Sequence, residues 1–173
     1  MARKRKKSKG KAPKKKQQVG LSKKNKTILG CLLIILGIAL FFSFISFYFT
    51  WQADQSTLGE FADRDVVAEN LLKKFGANVS HFFMYRGFGL ASFIFPILLT
   101  ITGLYMFLGI PGKGLLGKWI WGLIAVIWLS IALGFFAVQH PLLGGLIGFE
   151  MNDFLQDYIG RIGIFLVLMF VMV

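Results

Sequence analysis

Gly112 to Trp119 reads GKGLLGKW, the nearest approach in this chain to a nucleotide-binding motif. A phosphate loop of the form GxxxxGK[ST] cradles phosphates in backbone N–H groups, and its last residue offers a hydroxyl to magnesium. Trp119 stands in that last position and has no hydroxyl. The loop also needs a strand before it, whereas the upstream residues are an uncharged apolar run. The string therefore reads as a glycine-rich turn carrying Lys113 and Lys118. The other reactive residues are scattered. Cys31 is the single cysteine, so the chain has no internal disulfide and no thiolate cluster. His81 and His140 lie at the ends of apolar segments with no second ligand at metal spacing. The acids fall in two stretches, Asp54 to Glu69 and Glu150 to Asp157, outside the apolar runs. No Ser/His/Asp set and no carboxylate pair at membrane depth is present, which argues against an enzyme and against a proton-coupled pump. No catalytic, cofactor-binding or metal-ligating residue is assigned.

The elements around these residues are built for lipid. The chain has 173 residues, 55% hydrophobic and 16% charged, where a soluble domain carries roughly a quarter charged residues. Residues 1–26 hold 13 of the 20 Lys and Arg and no acid, so the net charge of +12 belongs to this segment. It is basic, broken by Gly and Pro, and expected to be a disordered cytoplasmic tail. Residues 27–51 then run without a charge. At about 1.5 Å per residue they reach roughly 37 Å, enough to cross a hydrocarbon core of about 30 Å. That run is too long for the apolar core of a cleaved signal, so it reads as an uncleaved first anchor.

Further spans are expected at 82–110, 119–138 and 162–173, giving an all-α membrane domain of four helices over 27–173. Pro96 should kink the second span. The first outer loop is expected to hold a short helix from Val66 to about Phe75, capped by Asp65 and closed by Gly76. In the second, Phe154, Leu155 and Tyr158 are spaced for an amphipathic helix at the interface. The last span is short, about 18 Å, and reads as truncated, its remainder continuing into the cytoplasm.

Lysine placement gives the orientation. The tail, with Lys4, Lys15 and Lys24, and the turn with Lys113 and Lys118 are basic, while the two alternate loops hold all eight acids. The positive-inside rule places the basic segments in the cytosol and both acidic loops outside, in the periplasm if the membrane is an inner membrane. Small residues offer helix contacts: Gly144 and Gly148 form a GxxxG, and Gly30 and Gly37 share a helix face. The tail would touch anionic lipid at about 1 kcal/mol per basic residue, or make weak, salt-sensitive contact with DNA phosphates.

The basic tail, the four spans, GANVSHFFMYRGFGLASFIFP at Gly76 to Pro96, GGLIG at Gly144 to Gly148 and GRIG at Gly160 to Gly163 together resemble the N-terminal membrane domain of FtsK/SpoIIIE-type DNA translocases. The likeness covers residues 27–173. It implies an anchor and scaffold at the division septum, with division-site membrane proteins or sister copies in a homo-oligomer as partners. It also implies an ATP- and magnesium-dependent motor that moves chromosomal DNA. That motor lies beyond this chain, so no catalytic residue is carried over. A small transporter or channel subunit is the competing reading; it calls for a polar lining that the spans do not display.

Overall fold

The computed structural model describes residues 22–172, and the basic tail with Lys4 and Lys15 lies outside them. Every regular element among the described residues is helical. That follows from the solvent: lipid cannot satisfy backbone N–H and C=O groups, and a helix satisfies them within itself. Helix α1 spans Lys23–Asp54, with no proline and no charge from Thr27 to Ala53. Helix α2 is Lys73–Ser80, and α3 is Ile94–Phe107. Between them lie a π-helical segment, His81–Phe88, and a 3-10 segment, Gly89–Phe93. Helix α4 is Leu115–Gly134, and α5 is Pro141–Met172. Four helical stretches, beginning at Lys23, Lys73, Leu115 and Pro141, are long and apolar enough to cross a membrane.

The second stretch does not run straight. Past a 3-10 turn at Gln55–Thr57, the chain descends along α1. The Glu69 N–H donates to Asp54 Oδ1 at 2.6 Å, the Leu71 N–H to Ser46 Oγ at 2.9 Å, and Asn70 Nδ2 to the Ser43 carbonyl at 3.0 Å. Ser43 lies roughly 16 Å below Asp54 along the helix. From there the chain climbs again: Ser80 meets Ser43, His81 meets Phe47, and Tyr85 stacks on Trp51. It reverses at Gly87 (φ −95°, ψ −119°) and Gly89 (φ 61°, ψ −139°). Phe93 then packs on Phe44 and Phe41, Pro96 on Gly37, and Gly103 on Gly30. Residues 73–86 are a re-entrant arm, and the crossing proper begins near Gly89.

Helix α5 repeats the device. It breaks at Gly145 (φ 67°, ψ 179°) and Gly160 (φ 67°, ψ 170°), a backbone region open in practice only to glycine. Beyond Gly160, residues 161–172 descend along α4: the Arg161 guanidinium sits over the Phe135 ring, and Trp128 Nε1 donates to the Leu168 carbonyl at 3.1 Å. The core, Leu40, Phe44, Phe47, Met84 and Leu142, forms where α1, the arm and the start of α5 meet.

Two local expectations are corrected. Asp65 caps no helix, and residues 66–70 are irregular. Burial competes with propensity here: Asn70 is buried and its Oδ1 accepts the Leu72 N–H at 3.0 Å, which delays the helix to Lys73. Gly76 consequently lies inside α2, where a Cβ would come within 2.6 Å of Ser43 Oγ. Pro96 also interrupts nothing. It sits in the first turn of α3, where its missing N–H would be unpaired in any case, and glycines supply the break instead.

Candidate functional site at the glycine crossing

The two broken segments meet each other. A Cβ on Gly145 would strike the Gly87 carbonyl and the Gly89 nitrogen, and would lie 2.7 Å from the Met84 carbonyl. A Cβ on Gly89 would lie 2.6 Å from the Gly144 carbonyl carbon. Backbone therefore touches backbone, at the place where both segments adopt glycine torsions. Irregular backbone in a membrane domain is tolerated where protein covers it, and Gly87, Gly89, Gly144 and Gly145 are all buried.

Gly30, Gly37, Gly144 and Gly148 all lie in close crossings. Gly30 abuts Gly103 and Phe107, a Cβ there coming 2.7 Å from the Gly103 carbonyl, and Gly37 abuts Pro96 and Thr100. Gly144 and Gly148 face Ser130 and Gly134 of α4, with Ser130 Oγ donating to the Gly144 carbonyl at 2.7 Å. These contacts are made within the chain. Gly30→Leu should force α1 and α3 apart at a cost of about 1–3 kcal/mol, measured as a lower unfolding midpoint in detergent. Gly112→Leu, with open space around its Cα, should leave the midpoint unchanged. Sequence reading passed over Gly87, Gly89, Gly134 and Gly145. The paired glycines of RGFG and GGLIG were the available signal, because GxxxG spacing marks helix faces and gives no warning of a break.

Two polar latches hold the half of the bundle at the Asp54 end of α1. Asp54 is fully buried; its carboxylate accepts Thr50 Oγ1 at 2.7 Å as well as the Glu69 N–H. Asn70, Ser43 and Ser80 form a second cluster, with Ser43 Oγ 3.1 Å from Asn70 Oδ1 and 2.9 Å from Ser80 Oγ. Asn152 Nδ2 donates to the Ile131 carbonyl at 2.9 Å and joins α5 to α4. Every buried side-chain polar atom among the described residues has a partner. Such closed networks rigidify the segments they join.

The suspected reactive residues have structural settings. Gly114, in the left-handed region at φ 83°, starts α4, and Lys118 lies exposed in its first turn. Trp119 Nε1 donates to Thr102 Oγ1 at 2.9 Å, tying α4 to α3. His81 stacks on Tyr85, His140 sits exposed in the α4–α5 turn, and Cys31 is exposed on α1. No group of three His, Cys, Asp or Glu able to hold a metal occurs among the described residues. Because Gly30 meets Gly103, the start of α1 lies beside the end of α3. Lys24, Lys113 and Lys118 thus share one end of the bundle, while the latch at Asp54 and the segment after it belong to the other.

Neither a curated protein nor a solved structure matches the chain significantly. A family model described as the 4TM region of DNA translocase FtsK/SpoIIIE matches residues 22–173. With a match over nearly the whole chain and four apolar helices beneath it, this chain belongs to the FtsK/SpoIIIE four-span membrane-region family.

Proposed function

We propose that this domain anchors a cytoplasmic, ATP-dependent DNA translocase in the inner membrane at the division septum. The motor, with its ATP and magnesium, would be carried beyond residue 173. The observation that carries the reading is the family match over 22–173. The geometry supports it: the crossings are closed by glycine backbone and the latches are fully paired, as suits a rigid support. Discontinuous helices also build ion sites in transporters, but there the broken ends face substrate, whereas here they are buried against each other's backbone. Division-site membrane proteins, or sister copies of the chain, would dock on its lipid-facing helices, and the basic tail would touch anionic lipid or DNA phosphates. Residues 1–173 fused to a fluorescent protein should collect at septa in dividing cells. Even fluorescence around the whole membrane of visibly septating cells would overturn the scaffold role.

Lysine at one end and acid at the other support a cytosolic N-terminus with both acidic loops periplasmic. Reporters active only in the cytosol should therefore work when inserted before Ser22 or at Gly112. One inserted at Gly59, where the backbone has open space around it, should be silent. Activity at Gly59 with silence at Gly112 would invert the topology.

A further inference from the structure

Helix α4 and residues 161–172 touch where Trp128 Nε1 donates to the Leu168 carbonyl and where Arg161 lies over Phe135. Between them lies a groove of about 450 Å³ whose walls include Trp128, Ala132, Phe135, Phe165 and Met169. Ala132 is too small to fill it. Ile162, Phe165 and Met169 are 77%, 58% and 52% exposed, so the groove opens sideways into lipid. Its lining has one charged group, Arg161, placed by the Gly160 break at the outer rim. There its guanidinium carbon lies 5.8 Å from the centroid of Phe135. The only polar side chain deeper in the groove, the Trp128 indole, already donates to Leu168.

An apolar slot with a cation at headgroup level matches one occupant in shape and charge. We infer that the groove seats a glycerophospholipid of the outer leaflet, one acyl chain lying between α4 and 161–172 and its phosphate on Arg161. A guanidinium binds phosphate through paired N–H donors, and an aliphatic stem that follows apolar surface to the interface brings it there at little cost. The lipid fills the groove that helix packing alone leaves between α4 and residues 161–172.

The test is native mass spectrometry of the full 173-residue chain in mild detergent, with phosphatidylglycerol, phosphatidylethanolamine or diacylglycerol added in turn. Both phospholipids should be retained about tenfold better than diacylglycerol, which has the chains without the phosphate. Arg161→Gln should reduce phospholipid retention to the diacylglycerol level, and Ala132→Trp should expel all three by filling the slot. Equal retention of diacylglycerol, or unchanged retention in Arg161→Gln, would overturn the assignment. So would efficient disulfide cross-linking of Phe165→Cys between two copies in liposomes, since a second chain would then occupy the groove. Arg161→Gln changes only an exposed side chain and its contact with Phe135, so the result does not depend on the Ala132 variant folding.

Discussion

Gly145→Ala should yield little folded protein, while Gly160→Ala should yield a folded but weakened one. Both glycines have nearly the same torsions, φ 67° with ψ near 180°, and any L side chain there costs on the order of 1–3 kcal/mol in backbone strain. The difference lies in the neighbours. Nothing lies within 4 Å of a Cβ built on Gly160, whereas one on Gly145 overlaps the Gly87 carbonyl and the Gly89 nitrogen. Those atoms are backbone and cannot rotate away, so the arm and α5 must separate. A few kcal/mol is a large fraction of a typical domain's stability. Thermal unfolding followed by circular dichroism in detergent, together with the monodisperse fraction on gel filtration, reads both variants. Equal losses would mean that the crossing of the two breaks contributes nothing beyond torsional strain.

Asn70→Ala should release the segment between α1 and α2 from α1. The Asn70 side chain accepts from the Leu72 N–H and Ser43 Oγ and donates to the Ser43 carbonyl, all in a fully buried setting. Leaving a buried donor unmatched costs about 1–3 kcal/mol, and the Leu72 N–H loses its partner outright. The expected result is a total of about 3 kcal/mol, seen as faster hydrogen exchange across residues 66–76 and new protease cleavage there. Asp54→Asn keeps acceptor and size and should loosen the segment less, since the Glu69 N–H still finds an oxygen. Unchanged exchange in Asn70→Ala would mean that apolar packing, not the amide, keeps the arm against α1.

Much of this architecture was legible along the chain. Uncharged runs such as 27–51 can be solvated only by lipid, and lipid permits little besides helix, so composition fixes the class of fold. The alternation of lysines and acids along the chain likewise puts Lys24, Lys113 and Lys118 at one end. The first outer segment was harder. Val67, Leu71 and Phe75 have helical spacing, yet the chain there is irregular, because Asn70 and the backbone of Glu69 are bound by Ser43 and Asp54, distant in sequence and adjacent only in the fold.

The sequence by itself determined that this protein is a helical membrane domain with a basic end, for hydrophobicity and charge act residue by residue and need no partner. Only the tertiary structure decided that its second and fourth helical stretches are broken and fold back. A glycine permits a reversal without commanding one, and whether Gly87, Gly89, Gly145 and Gly160 bend depends on what backbone lies across from them. The same holds for Arg161: the sequence places a cation at the edge of a span, but the groove beneath it exists only where residues 161–172 lie along α4.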